Sequence, residues 1–300
     1  MSYVFDIGAS LEDNLRRVAG EETASARKSL SKIDQDPEEV VHDLRKRMKK
    51  VRGLLRLFRS GLGKTYKAEN AAARDIARGF SDIRDAQVMV GTVDLICAED
   101  GADEAILAPL RDWAQKRRRR VLAAKGLKTR AANAREDLKA LQDRSKGWKL
   151  SGDPEAALEA GLKKTLGRAA EGFDIARHGG SGELLHEWRK RVKYHRYHCR
   201  LIAPAWPDAI LARESLADEV AEAIGTDRDL LVLRQTMAAS ASALPKETVH
   251  LAGMLSLQLG DRLRLQALAE APKLFVNQAD AEAHRMATWW ALAAANARRG

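Results

Sequence analysis

Two segments of the chain repeat each other, and this repeat constrains the fold more than any other feature of the sequence. Residues 42–58 (HDLRKRMKKVRGLLRLF) and residues 186–202 (HEWRKRVKYHRYHCRLI) share eight identities in seventeen positions at an offset of 144 residues. Arg-Asp dipeptides at 84–85 and 228–229 keep the same offset. Because two motifs some forty residues apart hold one register, the sequence predicts an internal duplication.

The duplication predicts two halves of similar fold. Ser, Gly and Pro interrupt the helical pattern at residues 144–154, and we place the boundary there, which gives the halves 1–148 and 149–300. Ala, Leu, Arg, Lys and Glu dominate every window and no window alternates with a period of two, so we predict helices and no strands. The expected helices span 10–34, 38–60, 65–98, 103–124, 128–143, 155–178, 182–202, 207–238, 246–269 and 278–298. The predicted fold is all-α, with two tandem helical bundles related by a pseudo-twofold axis.

The net charge of +10 comes from the two repeated segments. Residues 42–58 hold seven Lys or Arg against one Asp, and residues 186–202 hold six against one Glu, so the rest of the chain is nearly neutral. Positive charge concentrated in this way predicts an anionic partner.

Each repeated segment has the pattern of a helix with one apolar and one cationic face. At 100° per residue, Val41, Leu44 and Met48 lie opposite His42 and Lys49. A cationic row repels itself, whereas a merely solvated face usually mixes signs. Two such rows in register therefore favour binding of a linear polyanion over a solvated basic face, with forked hydrogen bonds from Arg and point charges from Lys. The predicted contact residues are His42, Arg45, Lys46, Lys49, Arg52, Arg56 and Arg84, and, in the second half, His186, Arg189, Lys190, Lys193, Arg196, Arg200 and Arg228.

Some of these roles have alternatives. His42 and His186 lie among cations, which favour the neutral imidazole until a phosphate binds, and a metal-ligand role is less attractive because the nearest helical neighbours are Arg and Lys. Arg84 and Arg228 either reach the same polyanion or form local salt bridges with the Asp that follows each. The run 116–120 is interpreted as a solvated face, with auxiliary contact to the polyanion as the alternative.

The sequence gives no support to an enzyme, a membrane protein or a disulfide-linked protein. It contains no glycine-rich phosphate loop, HExxH, CxxC pair or GxSxG, and no carboxylates cluster with the basic rows to hold Mg²⁺. We therefore expect no catalysis, no metal and no cofactor. No apolar run approaches a membrane span, the first twenty residues lack a secretory signal, and two cysteines fit a reducing compartment, so we expect a cytoplasmic location and no membrane partner.

The doubled pattern resembles the CHAD family, the conserved histidine α-helical domain. The resemblance is carried by residues 42–49 (HDLRKRMK) and 186–193 (HEWRKRVK), supported by the two later Arg-Asp dipeptides. It covers essentially the whole chain and implies one CHAD domain of two helical bundles, whose motif helices line a shared basic groove or pore. It also implies binding of inorganic polyphosphate, often at polyphosphate granules. Some members carry a fused triphosphate hydrolase domain whose ExExK signature is absent from this sequence, so we expect a stand-alone, non-catalytic binding module.

Two other functions stay open from the residues. A nucleic-acid binder would use the same rows, but only Tyr194 and Tyr197 adjoin them for base stacking, and no helix-turn-helix or RNA-binding signature is present. We therefore expect no nucleic-acid specificity, although other polyanions are candidate ligands. An enzyme that uses His42 or His186 as a nucleophile is the second alternative, and hydrolysis of polyphosphate with added divalent metal would support it.

Overall fold

The computed structural model describes residues 3–275 and 278–299, and this part of the chain is helical without strands, which confirms the all-α prediction. The helices up to residue 148 are α1 (Leu11–Ser29), α2 (Pro37–Leu57), α3 (Arg59–Arg78), α4 (Ser81–Cys97), α5 (Glu104–Leu122) and α6 (Leu127–Ser145). Those that follow are α7 (Pro154–Arg177), α8 (Gly182–Ile202), α9 (Pro207–Ala239), α10 (Lys246–Glu270), α11 (Pro272–Phe275) and α12 (Ala279–Ala297). Within the described ranges, no helix has the length and apolar character that crossing a bilayer requires.

Side-chain caps fix where the two basic helices begin. Asp36 Oδ1 accepts a hydrogen bond from the backbone N–H of Glu39 at 3.1 Å, and Pro37 follows as the first residue of α2. In α8, Ser181 Oγ accepts from the N–H of Leu184 at 3.4 Å. Caps of this kind satisfy backbone donors that have no partner within the helix. Each basic segment therefore begins in the second turn of its helix.

The single helix predicted for residues 65–98 is wrong, because α3 ends at Arg78 and α4 begins at Ser81. Phe80 interrupts the helix with φ −127° and ψ 24°, and its side chain is buried in the core. Gly79 precedes it, and glycine has a low helix propensity. The equivalent pair in the second half, Ala223-Ile224, continues α9 without a break.

One apolar core joins the helices of both predicted halves. Leu44 and Met48 on α2 are fully buried in the same cluster as Trp188 and Val192 on α8, so both predicted apolar faces are confirmed. α7 packs against α2 and α3, and a smaller second cluster joins α4 and α5 to α9 and α10. The boundary between residues 148 and 149 stays a prediction.

The contact between α2 and α7 is close enough to require glycine. A Cβ atom at Gly161 on α7 would lie 1.8 Å from the carbonyl oxygen of Leu57. No side chain fits there without separating the helices, since backbone forms the opposing surface. This approach fixes the end of α2, where the first cationic row finishes.

Candidate functional site

The two basic helices cross each other at equivalent positions of the repeat. A Cβ atom at Gly53 on α2 would lie 3.1 Å from the side chain of Tyr197 on α8, and residues 53 and 197 are separated by the repeat offset of 144. The crossing is also held by His198, whose Nε2 lies 3.0 Å from the carbonyl oxygen of Gly53. Burial lowers the pKa of His198 to about 4, so its imidazole is neutral and donates this hydrogen bond through Nε2–H.

Two cavities lie beside this crossing. The first, of about 1090 Å³, is named here the His42 cavity, and the second, of about 560 Å³, the His186 cavity. Each brings the first part of one basic segment together with the last part of the other. The predicted residues in the His42 cavity are His42, Arg45, Lys46, Lys49, Arg84, Arg189, Lys193, Arg196 and Arg200. Those in the His186 cavity are Arg45, Lys49, Arg52, Arg56, Arg84, His186, Arg189, Lys190 and Lys193.

The cavities adjoin, because five cations border both of them. These shared side chains are Arg45, Lys49, Arg84, Arg189 and Lys193. Of the predicted contact residues, Arg228 alone lies outside both linings.

Arg45 and Arg189 are held in matching positions by backbone carbonyls. Arg45 Nη1 donates to the carbonyl oxygen of Ala77 at 2.8 Å, and Arg189 Nε donates to that of Ala221 at 2.9 Å. Residues 77 and 221 are also separated by the repeat offset. Each guanidinium is thereby fixed at the border of the two cavities with further N–H groups for a ligand, since arginine carries five donors.

Burial and mutual repulsion lower the basicity of the central lysine. The side chain of Lys49 is exposed to the solvent in the cavities, although neighbouring protein groups surround it closely. Loss of water and the charges of Lys193, Arg189, Arg45 and Arg84 lower the pKa of Lys49 to about 7. Burial likewise lowers the pKa of Lys193, with Arg189 adding to the effect. Positive charge is therefore crowded at the crossing, and a bound anion would relieve the repulsion.

The motif histidines also favour the neutral form. Burial, followed by the charge of Arg84, lowers the pKa of His42. Burial, Lys190 and Arg228 lower the pKa of His186. This agrees with the sequence-based expectation of neutral imidazoles among cations, and a neutral imidazole still offers one N–H donor to a phosphate. Arg228 thus acts on the site through its charge on His186, while Arg84 faces the cavities and donates to Gln87 Oε1 at 2.8 Å.

Carboxylates on α9 neutralise the second cationic row, a feature that the sequence interpretation missed. Lys193 Nζ donates to Glu222 Oε1 at 2.8 Å, Arg196 pairs with Asp218 at 2.6 Å, and Arg200 with Glu214 at 3.3 Å. These three ion pairs follow the row from its middle to its end.

Among the described residues, α3 forms no ion pairs with the first cationic row that match these three. The repeat offset places Asn70, Arg74 and Arg78 where α9 has Glu214, Asp218 and Glu222. Arg52 Nε therefore donates to the neutral amide oxygen of Asn70, at 3.2 Å. This difference between the two cationic rows is visible in the sequence when residues 70, 74 and 78 are compared with residues 214, 218 and 222.

The basic run 116–120 lies on α5, apart from both cavities. Arg118 pairs with Glu38, and Lys116, Arg117 and Arg120 line a separate cavity of about 680 Å³. Over the described ranges, no group of three His, Cys, Asp or Glu side chains is placed to hold a metal ion.

Comparison with known proteins gives a family and a fold. A family model described as "CHAD domain" matches residues 9–238, more than half of the chain. No curated protein matches the chain. Among solved structures, PptA from Streptomyces chartreusis aligns with a TM-score of 0.55 at 16% sequence identity, over 85% of this chain and 98% of that chain. At this identity the likeness is one of fold.

Proposed function

The chain belongs to the CHAD domain family, and we propose that it binds inorganic polyphosphate without catalysing a reaction on it. The observation that carries the proposal is the convergence of cations from α2 and α8 on two adjoining cavities. Lys49 and Lys193, equivalent in the repeat, border both cavities there, and the charge of Lys193 lowers the pKa of Lys49. Such crowding costs stability in the free protein, and a linear polyanion that enters the cavities supplies the missing negative charge.

In this proposal the two basic helices are duplicated elements that line one shared groove. The His42 and His186 cavities are its two parts, and the shared cations lie at the junction. A polyphosphate chain runs through the groove, with phosphates contacted in turn by the residues of each row. Location at polyphosphate granules follows from this function.

The environment of the two tyrosines favours polyphosphate over nucleic acid. Tyr194 and Tyr197 are buried, with 9% and 8% of their surface exposed. The guanidinium of Arg56 covers the Tyr194 ring at 4.3 Å from its centroid, and the Tyr197 ring packs edge-on against Tyr3 at 6.1 Å. Neither ring is free to stack on a base, which is how single-stranded nucleic acids gain affinity without sequence preference.

The test is a competition titration at near-physiological salt. Labelled long-chain polyphosphate is displaced by unlabelled polyphosphate, single-stranded RNA or duplex DNA. Lys46→Glu with Lys190→Glu, two exposed and equivalent positions, reverses charge in both cavities. We expect an affinity loss of about 100-fold and a salt dependence weaker by about 1.4 logarithmic units per decade, as for two lost phosphate contacts. Lys139→Glu with Lys149→Glu is the matched control, because it changes the net charge equally at exposed positions outside the cavities.

Each outcome separates the alternatives. Equal competition by RNA or DNA per phosphate would make the groove a general polyanion site. Equal losses for the cavity variant and the control would place binding elsewhere. Release of orthophosphate when Mg²⁺ or Mn²⁺ is added would contradict the non-catalytic part of the proposal.

A further inference from the structure

A second group of cations lies beyond the His186 cavity, where α3, α7 and α8 meet. It surrounds a small cavity of about 20 Å³ and is named here the α7 cluster. Its members are Arg59, Lys164, Arg168 and Arg191. Arg56, Arg191 and Tyr194 border both this small cavity and the His186 cavity, so the two spaces adjoin. Of these four cations, Arg191 belongs to a repeated segment, whereas Arg59, Lys164 and Arg168 do not.

Positive charge in the α7 cluster is almost uncompensated. In the described part of the chain, the side chains that line its cavity include no carboxylate. Arg191 has one weak ion pair, with Glu187 at 3.5 Å. The charge of Arg59 lowers the pKa of Lys164 even though this lysine is exposed, and burial and the charge of Arg168 lower that of Arg191. The cations thus lie close enough to repel one another.

The other half of the molecule provides an internal comparison. The repeat offset relates Arg191 to Arg47, which pairs with Glu22 at 3.1 Å and with Asp43 at 2.8 Å. Glu22 also pairs with Lys50 at 3.0 Å. Burial alone would lower the pKa of Arg47, but these two carboxylates raise it.

The same positions on α7 have the opposite character. Leu166 stands where the first half has Glu22, and Lys164 and Arg168 stand where it has Gly20 and Ala24. One side of the molecule is therefore neutralised and the other is cationic. Tyr194 stands where the first half has Lys50, so these changes add two positive charges in total. A face that served only solubility would not need this gain, since like charges in proximity are destabilising.

Arg56 connects the His186 cavity to the α7 cluster. Its guanidinium lies over the Tyr194 ring, and its Nη1 donates to Tyr66 Oη at 3.0 Å, so the side chain is held in place. Arg56 Nε is buried without a hydrogen-bond partner in the described structure. A fixed cation that borders both spaces is placed to contact an anion passing from one to the other.

We propose that the α7 cluster is a second anion-binding site, which takes the part of a linear polyphosphate chain that leaves the His186 cavity past Arg56. This inference rests on the proposed function and extends it. The cavities at the crossing hold one stretch of the polyanion, and the cluster holds the next stretch on the outer side of α7. Chains too short to extend from the cavities into the cluster gain nothing from it.

The test compares a short and a long probe, tripolyphosphate and long-chain polyphosphate. The variant is Lys164→Glu with Arg168→Glu, two side chains at the surface of α7. We expect its affinity for long-chain polyphosphate to fall about tenfold, with a salt dependence weaker by about 1.4 logarithmic units per decade. Its affinity for tripolyphosphate should stay at the wild-type value. Lys139→Glu with Lys149→Glu again controls for net charge, and circular dichroism and thermal unfolding check that each variant is folded.

Three results would overturn the inference in distinguishable ways. If the α7 variant binds both probes as tightly as the wild-type protein does, the α7 cluster is not a binding site and the proposed function stays intact. An equal loss for both probes, or an equal loss in the charge control, would show a general effect of charge on the cavities. If the wild-type protein does not bind polyphosphate, both the proposed function and the second binding site are refuted.

Discussion

Binding of polyphosphate should take up a proton, and Lys49 is the group that should accept it. In the free protein the pKa of Lys49 is about 7, so at pH 8 about nine-tenths of the molecules carry it uncharged. A phosphate that enters the cavities favours the ammonium form and raises this pKa. At pH 8 we therefore expect uptake of about 0.9 proton per binding site, and at pH 6 Lys49 should contribute about 0.1.

The sign of the pH dependence follows from the same linkage. Because the complex binds more protons than the free protein above pH 7, affinity falls as pH rises. Its slope approaches a tenfold loss per pH unit above pH 8, for as long as Lys49 stays protonated in the complex. His42 and His186 have lowered pKa values and add their own uptake at more acidic pH. Measurement at pH 8 keeps that contribution small.

Isothermal titration calorimetry in two buffers of different ionisation enthalpy measures the uptake directly. Lys49→Arg keeps the positive charge at all accessible pH values, so this variant should still bind and should lose most of the proton uptake, keeping only the part that comes from Lys193, whose pKa is also lowered. Lys46→Arg, one turn earlier on the same helix, should retain it. Uptake below about 0.2 proton by the wild-type protein, or equal uptake by the Lys49→Arg variant, would refute the reasoning.

The remaining predictions concern packing and the asymmetry of the cationic rows. Gly161→Ala places a methyl group against backbone and should lower the free energy of unfolding in urea by about 3 kcal/mol; Gly167→Ala on the same helix, with nothing within 4 Å, should leave it unchanged or raise it by up to about 1 kcal/mol. Equal effects of the two substitutions would contradict the close approach of α7 to α2. Glu222→Gln removes an ion-pair partner from the second row and should raise polyphosphate affinity about threefold to tenfold in the competition titration, whereas the exposed Glu219→Gln should leave it unchanged. A loss of affinity in the Glu222→Gln variant would mean that this carboxylate positions Lys193 for the ligand.

The sequence was sufficient for those features that depend on local periodicity. The apolar positions Val41, Leu44 and Met48 are buried as predicted, because a helix with a period of 3.6 residues presents them on one face. The break at Phe80 was missed, since the single glycine before it, Gly79, is a weak local stop signal within a helical pattern. Element boundaries are the least predictable part of a sequence-based assignment.

The neutralising and additional charges were missed for a related reason. Glu222 lies far along the chain from Lys193, and only the packing of α9 against α8 brings the two together. Lys164 and Arg168 lie outside the repeat pattern that drew attention to the basic segments, and α7 places them beside a small cavity that adjoins the His186 cavity. A repeated motif therefore identifies the residues that the two halves have in common, while the differences between the halves become meaningful only in three dimensions.

The five cations that border both cavities also couple the two cavities thermodynamically. An anion in one cavity would lower the positive potential in the other, so we expect two separate short anions to bind with negative cooperativity. A single chain that spans both cavities loses its translational freedom only once, and its second contact forms at a high effective concentration. We therefore expect the shared border at Lys49 and Lys193 to disfavour two small anions and to favour one long one. Avidity of this kind would discriminate by length without any group that recognises a chain end.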